Sequence, residues 1–218
     1  FLMKASRILF GICLILTLMN SGVNRIASDI PNTGNDAFYF MPILESVKSN
    51  SSLLSIDDFA SSITDGDSGS IRGIYASDVF ALRVIQQPSN QPNFVSTIEG
   101  VATQFKDAYK YGSIGLLSHN FLSGKLFYQL KIGDMIQLIY GDGSVKKYSV
   151  ESIHQFQALQ PENPRSTFVD LTNGAKLSST NLFLKMYAGQ GRLVLQTCIQ
   201  NGDELSWGRY FVISKPIT

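Results

Sequence analysis

The chain has 218 residues, a hydrophobic fraction of 44%, a charged fraction of 16% and a formal net charge of +1. That length supports one domain with a real core plus extra segments, and the composition excludes a disordered chain. A charge this near zero, with no basic stripe carrying interleaved aromatics, excludes nucleic acid as a partner recruited by a strong field.

The first residues read as an address. Lys4 and Arg7 precede an almost wholly apolar run over 8–19, and Asn20-Ser21-Gly22 follows. Positive-then-apolar order is the layout of a secretory signal, and Met3 in Phe1-Leu2-Met3 reads as a start residue. The run is short of the roughly 20 residues a membrane span needs. A cleaved signal peptide and an uncleaved N-terminal membrane anchor both fit residues 1–23, and the lack of an A-x-A cleavage site favours the anchor. Either way the expected location is extracytoplasmic. Cysteine usage fits export: of the two cysteines, Cys13 lies in the targeting run, which leaves Cys198 expected as a free thiol.

Residues 24–70 read as linker or stalk. They hold Ser49-Asn50-Ser51-Ser52 and Asp65-Gly66-Asp67-Ser68-Gly69-Ser70, both of loop composition. A more apolar stretch at 37–47 is expected as a short helix on the main domain. Asp65-Gly66-Asp67 lacks the later ligands and closing glutamate of a calcium loop, so it reads as a flexible turn and no metal is expected.

From Ile71 onward, residues 71–218 take the texture of short strands. Residues 79–86 and 135–140 are apolar runs. Asp142-Gly143 then turns the chain into a second arm at 144–153, a strong hairpin signal. In that arm Lys147, Ser149 and Glu151 share one face, with Tyr148 and Val150 on the other. Strands are also expected at 192–199 and 209–214, joined through Asn201-Gly202-Asp203-Glu204. Two helices are predicted. Val101, Phe105 and Ala108 fall at i, i+4, i+7, and Ser178-Ser179-Thr180 caps a helix through Leu182 and Met186 that stops at Gly189. Many short strands with few short helices predict an all-β fold, a closed or nearly closed barrel.

Three residues stand out chemically. Cys198 ends the run Leu193-Val194-Leu195-Gln196-Thr197-Cys198. Arg209 lies in Gly208-Arg209-Tyr210-Phe211-Val212-Ile213, and His119 in Gly115-Leu116-Leu117-Ser118-His119-Asn120. A thiol of ordinary pKa is only a few per cent thiolate at neutral pH, so Cys198 needs a base or a cation beside it. His119 can be either, and can protonate a departing amine. Arg209 stays charged and can hold an oxyanion or position carbonyls. His154, in Ser152-Ile153-His154-Gln155, reads as a residue on a solvated strand face rather than the partner of the thiol.

Together these segments resemble the sortase family. Val194-Leu195-Gln196-Thr197-Cys198 is similar to that family's Thr-Leu-x-Thr-Cys signature, Arg209 opens the following strand, His119 follows an apolar strand, and the order His, Cys, Arg is the family's. The similarity spans residues 71–213. Val194 departs from the family's threonine and points to a non-standard subclass. The resemblance implies a closed eight-stranded β-barrel and catalysis by Cys198, His119 and Arg209, with Thr197 and Asn120 as substrate contacts and no cofactor. It implies a two-step transpeptidation: Cys198 attacks the threonine carbonyl of a Leu-Pro-x-Thr-Gly type sorting signal, and an amine then resolves the thioacyl enzyme. Partners would be exported proteins bearing that signal and an amine acceptor of the cell envelope or of another protein. A hydrolase using water, and a barrel that binds envelope peptides without turnover, are the alternatives. Ile30-Pro31-Asn32-Thr33-Gly34 is nearly such a signal itself, but reads as a turn in the stalk.

Overall fold

The computed structural model describes residues 54–217. The expected N-terminal address, the helix at 37–47 and the turn at 30–34 lie outside the described residues. The described elements run α1 (Ile56–Ile63), β1 (Ile71–Ala76), β2 (Phe80–Gln86), β3 (Val101–Phe105), α2 (Lys106–Tyr109), β4 (Ile114–Leu117), a 3-10 helix (Ser123–Gln129) and β5 (Met135–Tyr140). They continue with β6 (Val145–Ala158), β7 (Thr167–Asp170), β8 (Lys176–Ser178), α3 (Ser179–Tyr187), β9 (Leu193–Asn201) and β10 (Glu204–Pro216).

The strands join in the order β10-β9-β4-β3-β2-β1-β5-β6-β7-β8, and β10 also pairs with β6. That last pairing closes eight strands into a barrel and leaves β7 and β8 as a flap on β6. Closure removes the exposed edges that would otherwise invite pairing with other chains. Two pairings are parallel, β2 with β3 and β4 with β9; the rest are antiparallel.

Alternation along the strands divides the apolar residues into two layers. Leu193, Leu195, Tyr210, Val212 and Leu116 fill the barrel interior with Ile74, Phe127 and Leu138. Val194, Phe211, Ile213, Leu117 and Phe156 face outward and are covered by Leu182, Phe183, Met186 and Tyr187 of α3. Ser178 caps α3 by accepting from the Asn181 N–H at 3.2 Å, as its sequence predicts. The Asp142-Gly143 turn and the face alternation of 147–151 also match, with Tyr148 and Val150 buried.

Two expectations are corrected. Val101–Phe105 is strand, not helix, and only Lys106–Tyr109 turns helical. The spacing of Val101, Phe105 and Ala108 arises because β3 and the turn after it bury residues on both faces, which mimics a helical period. The expected stalk is ordered from Ile56: α1 lays Phe59 and Ile63 on Tyr75 and Ile139. Arg72 binds Asp65 at 2.7 Å and Asp67 at 3.1 Å, so the Asp65-Gly66-Asp67 turn is pinned to the barrel wall.

Candidate active site

Cys198 and Arg209 are direct cross-strand partners in the β9–β10 ladder. Opposed residues in an antiparallel pair project from the same face, and here that face is the outer one, shared with Val194 and Phe211. On the other side of β9 runs β4, in parallel register with Leu117 opposite Gln196. The register is extended by the Ser118 N–H donating to the Gln196 carbonyl at 3.2 Å. The β4–β9 ladder ends there, and His119 lies two residues beyond Leu117, where the chain leaves the strand. Cys198 thus has Arg209 opposite it on β10, while His119 follows the end of the strand on the other side of β9.

Each of the three is held differently. His119 stacks on Phe121, with ring centroids 5.0 Å apart. Its pKa is lowered chiefly by burial, while a hydrogen bond with the Val95 backbone works the other way. The long connection between β2 and β3 thus reaches the histidine, and it is itself pinned by Gln87, whose amide donates to the carbonyls of Pro92 and Phe94 at 2.9 and 3.1 Å. Arg209 is 4% exposed. Its guanidinium donates to the carbonyls of Ser206, Gly208 and Pro161 at 2.8, 2.9 and 3.4 Å and lies over the Phe168 ring. Burial pushes its pKa down to about 10, opposed by the charge of Glu204, so it remains a cation at neutral pH.

Cys198 is 1% exposed and disulfide-bonded. The free thiol expected from the sequence is not what the structure holds. The sequence's other cysteine, Cys13, lies outside the described residues.

Thr197 and Asn120, the expected substrate contacts, are both buried. Thr197 points into the barrel and is fully buried. Its hydroxyl is unpaired and sits against Gly124, where a Cβ would collide with it and with the carbonyls of Ser118 and His119. Asn120 lies beside the histidine, 9% exposed, and its amide donates to the Leu205 carbonyl at 3.0 Å, leaving Oδ1 buried and unpaired. It ties the loop after β4 to the β9–β10 turn. His154 is on β6 opposite Phe211, two positions from Arg209's partner Phe156, with Ser152 Oγ 3.0 Å away. It is not abreast of Cys198, and it is half-buried rather than solvated.

Sequence reasoning missed Tyr128, whose hydroxyl donates to the Cys198 carbonyl, and Phe121 beside the histidine. The run after His119, Asn120-Phe121-Leu122-Ser123-Gly124, carries one signal in retrospect: two large apolar residues where a polar loop is expected. Nothing local marks Val95.

The sequence matches no protein-family model and no curated protein. Among solved structures the chain is similar to sortase C1 from Streptococcus suis, at 13% identity and TM-score 0.47, over 75% of this chain and 78% of that one. It is similar to sortase A from Corynebacterium diphtheriae at 14% identity and TM-score 0.47, over 70% of this chain and 62% of that one. It is also similar to sortase C-1 from Actinomyces oris at 15% identity and TM-score 0.46, over 74% and 80%. At such identities the closed barrel rests on this chain's own strand pairing, and residue roles rest on its own geometry.

Proposed function

We propose that the protein is a sortase-type cysteine transpeptidase acting outside the cytoplasm. The observation that supports this best is the cross-strand pairing of Cys198 with Arg209, with His119 two residues beyond the end of β4, the strand on the other side of β9. In the reduced chain, Cys198 Sγ attacks the threonine carbonyl carbon of a Leu-Pro-x-Thr-Gly type peptide, its proton passing to His119. The oxyanion forms beside Arg209, whose guanidinium has five N–H donors and makes three contacts with backbone carbonyls. The C–N bond breaks, His119 returns the proton to the departing glycine amine, and a thioacyl enzyme remains. An amine from the cell envelope or another protein then attacks the thioester carbon. His119 takes its proton, the new amide forms and the Cys198 thiolate leaves. Asn120 orders the loop that carries His119 through its hydrogen bond to the Leu205 carbonyl.

One observation favours the alternative of a peptide-binding barrel without turnover: Cys198 is buried and disulfide-bonded. The two readings separate in one experiment. The chain, with and without a thiol reductant, is incubated with a panel of Leu-Pro-x-Thr-Gly type peptides, with and without added amine, and adducts are read by mass spectrometry. A thioacyl adduct on the reduced wild type, absent in Cys198→Ala, and an amide product that requires the amine are expected. A reduced wild type that forms no adduct across the panel removes the transpeptidase, and a product hydrolysed even in excess amine makes the protein a hydrolase.

A further inference from the structure

Beyond Leu117 the β4 strand ends, and the chain turns back through the Leu122 N–H donating to the His119 carbonyl at 3.0 Å. Among the described strands, none continues the β4 pairing of β9 at Cys198. The Gln196 carbonyl faces β4, where it accepts from Ser118. Carbonyls two residues apart on a strand point to the same side, so the Cys198 carbonyl faces the same gap. A strand continuing β4 would have supplied the missing donor. Instead the 3-10 helix crosses the gap, and the Tyr128 hydroxyl donates to the Cys198 carbonyl. The Tyr128 ring rests on Tyr210 of β10, with centroids 4.5 Å apart, so one side chain bridges the open side of β9 to the strand beyond it.

We propose that Tyr128 is a positioning residue for the nucleophile, fixing the backbone of Cys198 where the sheet no longer does. This rests on the thiol chemistry proposed above. The hydroxyl is suited to that role, because burial, then the nearby Tyr210, push its pKa up to about 12, so it remains a donor across any working pH. Tyr128 is also 40% exposed, more than a residue kept only for packing. With the carbonyl held, the sulfur keeps one position on the β9–β10 ladder from which its proton can pass to His119. With it released, β9 can rotate about its pairing with β10 and the sulfur loses that position.

The test uses the full chain under reducing conditions, in a Cys13→Ser background so that Cys198 is the sole thiol. Tyr128→Phe keeps the ring and removes the donor; Tyr128→Leu removes both. For each, peptide turnover is split into kcat and KM, and the pH profile of Cys198 alkylation by iodoacetamide is recorded. Both variants are expected to lose kcat by about tenfold with KM nearly unchanged, as for a misplaced reacting group. Their Cys198 alkylation is expected to slow about tenfold at neutral pH, because a sulfur displaced from His119 no longer passes its proton to that imidazole. A Tyr128→Phe chain with wild-type kcat and a wild-type alkylation profile overturns the proposal, even if its Tm falls. If the wild type turns over no peptide, the transpeptidase reading fails by itself, and the alkylation profile alone decides the role of Tyr128.

Discussion

The two sides of the barrel are built to different standards. On the wall of β1, β2 and β5, α1 closes an apolar patch of Phe59, Ile63, Tyr75 and Ile139, and the charges above it are paired, Arg72 with Asp65 and Asp67. On the wall of β4, β9 and β10, buried polar atoms go without partners. Among the described residues the unpaired buried side-chain atoms are Asn120 Oδ1, Gln196 Nε2, Thr197 Oγ1 and Ser214 Oγ, and every one belongs to β9, β10 or the loop after β4. Buried polar groups are normally satisfied. Three of the four, Asn120, Gln196 and Thr197, lie within two residues of Cys198 or His119, and such unsatisfied groups are expected where a site is favoured over packing.

The contrast can be broken most sharply at His119. Its replacement by asparagine is expected to lower kcat/KM by about a thousandfold, the scale of general acid–base catalysis, with little change in Tm. Activity should also fall with acidification through a midpoint below the ordinary histidine value of 6.5, because burial depresses the His119 pKa and the imidazole must be neutral to take the thiol proton. A midpoint above 6.5 in the kcat/KM profile would contradict that assignment. The opposite wall should answer the other way. Phe59→Ala is expected to cost about 3 kcal/mol, at the low end for a buried phenylalanine, measured by denaturant unfolding, while kcat stays within about twofold. Loss of turnover on that substitution would mean that α1 takes part in the chemistry. The smallest effect is expected at Ser214. Ser214→Ala removes a buried hydroxyl that has no partner and should raise stability by about 1 kcal/mol, seen as a Tm increase of roughly 3 °C. A lower Tm would show that the hydroxyl is satisfied in solution.

Where local chemistry decides structure, the residues can be read directly. Asp142-Gly143 and Ser178 specify a turn and a cap within a few residues of themselves. The alternation of Tyr148 and Val150 against Lys147 and Ser149 needs only to know that one face is buried. The signals for α1 are equally local: Ser55 precedes Asp58, apolar residues fall at 56, 59, 60 and 63, and in the structure Ser55 accepts from the Asp58 N–H at 3.2 Å. Polar neighbours on both sides hide that helix inside a segment that reads as stalk. Val101–Phe105 misleads for the opposite reason, since a strand buried on both faces has no period of its own.

By itself the sequence determined most of the short strands, the Asp142-Gly143 turn and the cap of α3, and offered a thiol, an imidazole and a guanidinium as candidates, because each depends on nearest neighbours along the chain. The tertiary structure alone decided the β10–β6 pairing that closes the barrel, the parallel β4–β9 register and the pairing of Cys198 with Arg209. It also turned Thr197 inward, buried Cys198, and put the Tyr128 hydroxyl on the Cys198 carbonyl. Those features depend on which distant segments share hydrogen bonds, and a side chain's orientation follows from that register rather than from its own identity.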